Sequence, residues 1–167
     1  MKKIIIAAAL LFGFTTVNAQ TFDEGTSIIQ AGISVGGTFG LPISASYEYG
    51  ISEKIGVGVF AGYAGKTESV AFLGDVKYTY ALFGVRGNYH FFQSDKIDAY
   101  GGLILGYNSA SVTYPNGNGF PGYTPTASAV FLGGQIGGRY YFTDSFAAFA
   151  ELGYGLGYLN VGLAYKL

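Results

Sequence analysis

Residues 127–142 read ASAVFLGGQIGGRYYF, and alternate positions of this stretch differ in kind. One set is Val130, Leu132, Gly134, Ile136, Gly138, Tyr140 and Phe142, with no hydrogen-bonding side chain before Tyr140. The other is Phe131, Gly133, Gln135, Gly137, Arg139 and Tyr141, which sets a glutamine and an arginine among glycines. A period of two belongs to a β-strand with two unlike faces. An uncharged face ending in aromatics, backed by a small and crowded polar face, predicts a strand with lipid on one side and a narrow polar interior on the other.

The same alternation recurs along the chain. It predicts strands over 26–37, 41–51, 55–66, 77–92, 98–110, 127–142, 146–155 and 158–167. In the fourth, Ala81, Phe83, Val85, Gly87, Tyr89 and Phe91 oppose Tyr80, Leu82, Gly84, Arg86, Asn88 and His90. These lengths suit the roughly 9–11 residues a tilted strand needs to cross a bilayer. The connections alternate as well. Residues 51–54 (ISEK), 93–97 (QSDKI) and 143–145 (TDS) are short and turn-like, whereas 66–76 (KTESVAFLGDV) and 112–126 (VTYPNGNGFPGYTPT) are longer. Short turns inside and longer loops outside is the usual arrangement of a membrane barrel. The links at 38–40 and 155–157 are short, so the asymmetry is partial.

Composition points the same way. The 167 residues are 50% hydrophobic and only 11% charged, with 17% aromatic and 28 glycines. A soluble domain carries about 25% charged residues, so part of this surface is expected to face something other than water. Beyond residue 20 no run of about 18 apolar residues exists to make a membrane helix. That leaves a closed β-barrel, because lipid offers no partner to an unpaired backbone group. Lys2 and Lys3, the apolar residues 4–14 and the small residues Val17-Asn18-Ala19 predict a cleaved signal peptide over 1–19, in preference to a buried N-terminal helix. Residues 20–25 (QTFDEG) then form a short, loose periplasmic lead-in, and 26–167 the barrel. Cleavage leaves seven of the nine basic residues against ten acidic ones, a net charge of −3. Without a basic patch, nucleic acid is not an expected partner. With no cysteine there is no disulfide, thiolate metal site or lipidated cysteine; no cofactor and no metal are expected.

Aromatics give an independent signal. On the outward set, Tyr47, Tyr49, Tyr89, Phe91, Tyr140, Phe142 and Tyr165 fall beside the short turns, and Tyr63, Tyr107 and Tyr154 at the opposite strand ends. Two such rings mark the two membrane interfaces.

With these features in place, the chain resembles the small eight-stranded outer-membrane barrels of Gram-negative bacteria, the OmpA-transmembrane and OmpX-like group of porin-family proteins. The ending NVGLAYKL (160–167) resembles the last-strand signal read by the outer-membrane assembly machinery, although it closes on Leu167 rather than an aromatic. The resemblance implies an all-β fold, an eight-stranded antiparallel up-and-down transmembrane barrel. It also implies a bacterial outer-membrane location, contact with outer-membrane lipid and the assembly machinery, and a monomer. No peptidoglycan-binding domain is expected after the barrel.

The inward set holds Glu48, Arg86, Arg139 and Glu151, with His90, Gln135 and Lys166 as further polar groups. A lone charge in a narrow lumen is costly and a paired one tolerable, so the first four are expected to form an arginine–carboxylate network. An eight-stranded interior is just wide enough for side chains to fill, which favours a plug. The alternative is a gate whose pairs exchange partners to pass small ions. A lipid-modifying enzyme is a more distant reading. It needs a nucleophile and base at the lipid-exposed surface, yet His90 is the only histidine and points inward. The glycines at 133–138 and 101–102 sit inside strands, not between a strand and a helix, so they are not phosphate loops. Tyr114, Phe120 and Tyr123, in the longest loop, are candidate contacts for an extracellular partner. A lipocalin-like calyx would place greasy residues inside and charges outside, the inverse of this pattern. The reading is therefore a non-enzymatic outer-membrane barrel with a structural or surface-interaction role in adhesion or defence.

Overall fold

The computed structural model describes residues 21–37, 40–70, 74–113 and 126–167. They form eight strands: β1 (Ser27–Val35), β2 (Ile43–Ser52), β3 (Ile55–Val70), β4 (Gly74–Gln93), β5 (Ile97–Thr113), β6 (Thr126–Tyr141), β7 (Phe146–Tyr154) and β8 (Leu159–Lys166). Each pairs antiparallel with its neighbours in chain order, and β8 returns to β1, closing the barrel. Closure leaves no edge through the band where all eight strands run, so every ladder group there has a partner.

The alternation decides the faces. On β6, Leu132 and Ile136 are 69% and 56% exposed, whereas Arg139 is 1% exposed. All ten aromatics of the two predicted rings are exposed. The registers gather them: Tyr47 lies beside Ile29, which lies beside Tyr165, which lies beside Phe146. At the other end Tyr107 lies beside Phe83, with ring centroids 5.4 Å apart.

Two expectations need correction. Residues 66–76 and 112–126 were expected as loops, but β3 continues to Val70, β4 begins at Gly74, β5 continues to Thr113 and β6 begins at Thr126. The period-two apolar signal stops there because both faces leave the apolar layer: residues 65–69 and 126–130 are exposed at every position. The backbone ladder continues regardless of side-chain pattern. The barrel is consequently lopsided. β3 to β6 run 16, 20, 17 and 16 residues, while β7, β8, β1 and β2 run 9, 8, 9 and 10. The four long strands overhang the rim as a wall. On the short side, Gly36, Gly37 and Gly40 take positive φ of 76°, 87° and 82° in the β1–β2 link, a conformation glycine adopts without strain.

The lead-in is not loose. Thr21 and Phe22 are buried under the short-turn end of the barrel. Gly25 N–H donates to Gly50 O (2.9 Å) and Gly50 N–H to Thr26 O (2.8 Å), stitching the segment to β2. Composition missed this because one aromatic among polar residues carries no periodicity. The predicted signal peptide, residues 1–19, lies outside the described residues.

Candidate functional site

The lumen is filled in three storeys. At the short-turn end Phe22 packs with Ile28, Tyr141, Ala147, Phe149 and Ala164. At the opposite end Leu156, from the β7–β8 turn, folds inward onto Phe60, Leu82 and Ile104, with Tyr80 and Phe131 packed against them. Between the two apolar stoppers lies a buried polar cluster.

Two arginines anchor it. Arg86 on β4 donates to Glu151 Oε1 (2.6 Å), which also accepts from Tyr100 OH (2.7 Å), while Asn160 Nδ2 donates to Glu151 Oε2 (3.1 Å). Arg139 on β6 donates to Asp98 Oδ2 (2.8 Å), Gln30 Oε1 (2.7 Å) and Glu48 Oε2. Its guanidinium lies 4.3 Å from the Tyr100 ring centroid, so one aromatic face lies against the cation. Asn88 Nδ2 donates to Glu48 Oε1 (2.5 Å). His90 reaches two carboxylates, Nδ1 to Asp98 Oδ1 (2.7 Å) and Nε2 to Glu48 Oε1 (3.3 Å). With a proton on both ring nitrogens, the cluster carries three positive and three negative charges. Phe22 stacks on the same imidazole, centroids 3.6 Å apart and planes 9° from parallel.

Inward glycines make the room. A Cβ on Gly56 would stand 2.9 Å from Glu48 Cγ, and one on Gly137 would stand 2.7 Å from Glu151 Cγ. Gly56 on β3 and Gly137 on β6 thus leave the space that Glu48 of β2 and Glu151 of β7 occupy. Among the described residues, Arg139 Nε and Tyr141 OH are buried without a hydrogen-bond partner.

The structure brings Glu48 to Arg139 and Glu151 to Arg86, with His90 bridging from Glu48 to Asp98. Gln135, its amide oxygen turned to the guanidinium, accepts from Arg86 Nε (3.2 Å). Lys166 stands apart at the short-turn end, its Nζ 5.4 Å from the Tyr141 ring centroid. Tyr114, Phe120 and Tyr123 lie outside the described residues. Sequence reasoning missed Asp98, Tyr100, Gln30 and Asn88 as members of the cluster. Asp98 and Tyr100 share the inward parity of the strand predicted over 98–110, of which the aspartate is the first residue, so that parity alone was the signal that could have found both. Nothing local marks Phe22 or Leu156 as stoppers.

These features define a class: a closed eight-stranded antiparallel barrel, apolar outside and packed with ion pairs inside. The fold is that of the small outer-membrane barrels. It is similar to the N-terminal β-barrel domain of Pseudomonas aeruginosa OprF, with TM-score 0.64 and 17% identity over 86% of this chain and 98% of that one. The outer membrane protein OprG from the same organism matches with TM-score 0.65 and 14% identity over 89% and 99%. Ail, the attachment invasion locus protein of Yersinia pestis, matches with TM-score 0.53 and 19% identity over 86% and 99%. No protein-family model and no curated protein sequence matches the chain.

Proposed function

We propose that the protein is a non-enzymatic integral barrel of the bacterial outer membrane, with a structural lumen and a surface-interaction role carried by the overhanging wall of β3 to β6. The observation that carries this reading is the contrast between a lumen stoppered at both ends and four strands that rise past the rim, two of which, β3 and β6, are exposed on both faces over residues 65–69 and 126–130. In this orientation the short turns and both chain termini face the periplasm and the wall faces outward, following the usual barrel asymmetry. Residues 1–19 are the proposed leader, removed before Gln20. Tyr114, Phe120 and Tyr123, between β5 and β6, are proposed to add aromatic contact area to the wall. Ail, a neighbour in fold, has been seen in complex with the heparin analogue sucrose octasulfate, which supports extracellular binding as a use open to this architecture.

The other readings meet physical obstacles. An ion path must displace Phe22 at one end and Leu156 at the other, each 9% exposed or less. Lipid chemistry at His90 must reach an imidazole that is 1% exposed and stacked under Phe22.

The test compares cells carrying the intact protein with cells whose residues 65–79 are replaced by a two-residue turn. Equal surface expression with loss of attachment to host-cell or abiotic surfaces is the expected result. Attachment that persists, or stepwise conductance of the purified protein in planar bilayers, would overturn the proposal.

A further inference from the structure

On β4 and β5 the two faces exchange chemistry at the outer aromatic ring. Below it the outward positions are apolar and exposed, as at Val85 and Leu105, and inward ones include the buried Arg86 and Asn88. Above Phe83 and Tyr107 the same parity carries the opposite kinds of residue. Lys77 and Thr79 on β4 stand outward with Ser109, Ser111 and Thr113 on β5. Val76, Tyr78, Ala110 and Val112 take the inward positions, and Val76 is buried.

The registers set these outward groups in rows. The first row above the ring pairs Ser109 with Ser128, beside Ala81. The next runs Thr79, Ser111 and Thr126, beside Gly65. The third places Lys77 between Thr67 and Thr113. Ser69 and Asp75 pair beyond it at the tip. Hydroxyls both donate and accept, as saccharide hydroxyls do, and a lysine meets phosphate as a point charge. Height selects the occupant. From Tyr107 to Thr113 the strand climbs about 15 Å at ~3.4 Å per residue and a tilt of ~40°. The polar layer of a phospholipid bilayer is only about 5–7 Å deep on each side. The hydroxyl face therefore rises past a phospholipid head group, and a saccharide head group is tall enough to cover it.

We propose that the outward face of the wall is a docking surface for the phosphorylated saccharide head group of an outer-leaflet glycolipid. This rests on the outer-membrane reading above and names a lipid partner for it. The acyl chains lie against the apolar band below Phe83 and Tyr107, and the face continues upward from that interface. The sugars exchange hydrogen bonds with the rows of serine and threonine hydroxyls, and Lys77 meets a phosphate. The inward face of the wall stays free for an extracellular partner.

The probes are lipopolysaccharide with its core oligosaccharide and lipid A without it, which share acyl chains and lipid A phosphates. The barrel refolded in detergent micelles is titrated with each, and bound lipid is counted by native mass spectrometry. The expected result is core-bearing lipid bound at least fivefold tighter than lipid A. Thr79→Val with Ser111→Val removes hydroxyls from the face while keeping strand-forming residues, and brings the two affinities within twofold. Lys77→Gln weakens both at least threefold. Lys66→Ala with Glu68→Ala, at inward positions, leaves the preference intact, and unboiled gel mobility reports that each variant is folded. Equal binding of the two lipids by the native protein, a preference that survives the double valine change, or affinities unmoved by Lys77→Gln would overturn the proposal. So would released, deacylated core binding as tightly as the whole lipid, which would assign the face to a soluble saccharide. A protein that folds without detergent or lipid would strike the outer-membrane reading itself, whereas a refolded barrel with no preference strikes only the glycolipid surface.

Discussion

The two halves of the lumen fill the same cross-section with opposite chemistry. At the rim, Leu156, Phe60, Leu82 and Ile104 hold the barrel closed by volume alone. Nearer the short turns, Arg139, Glu48, Asp98 and His90 hold it by mutual satisfaction, with Phe22 laid over them. The difference teaches where the fold is brittle. An apolar filler that is shortened loses contacts in proportion to its size. A charged filler that is removed strands its partners in a medium that cannot solvate them.

Mutations should therefore rank by chemistry before size. Arg139→Ala leaves Glu48 and Asp98 without their shared guanidinium and is expected to cost about 3–5 kcal/mol, read by denaturant unfolding of the barrel refolded in detergent. Phe22→Ala removes the lower stopper and is expected to cost about 3 kcal/mol, while increasing proton exchange at the His90 ring nitrogens in NMR spectra. Leu156→Ala, at the rim, should cost about 2 kcal/mol and leave the His90 signals where they are. If both truncations moved those signals equally, the storeys would be one unit and the contrast would fail. The pair Arg86→Met with Glu151→Leu should cost at least about 2 kcal/mol less than Glu151→Leu alone, because the double change strands no arginine. Lys66→Ala, at the tip of the wall, is expected to leave unfolding unchanged. Glu68 pairs with Lys66 there and holds its ammonium above the usual lysine range, but both groups are solvated.

The wall and the barrel differ in how readily they are read. Inside the apolar layer the two-residue period of β6, from Val130 to Tyr140, is written in the chain, as are the aromatic rings at its borders. Past the layer, Lys66 to Ser69 carry no such period, and the extension of β3 is invisible until β4 is laid beside it. The candidate site divides the same way. Parity tells that Arg139 and Glu151 share the inner side. It does not tell that Glu151 meets Arg86 rather than Arg139.

From the order of residues alone follow the strand class, the number of crossings, the inner and outer faces and the borders of the apolar band. Each is a property of one strand and its solvent, and a period of two expresses it locally. Which charges pair and how Phe22 and Leu156 stopper the ends were settled only when the barrel closed. Closure and register bring residues as distant as Gln30 and Arg139 within 2.7 Å, and no pattern confined to one strand encodes that distance.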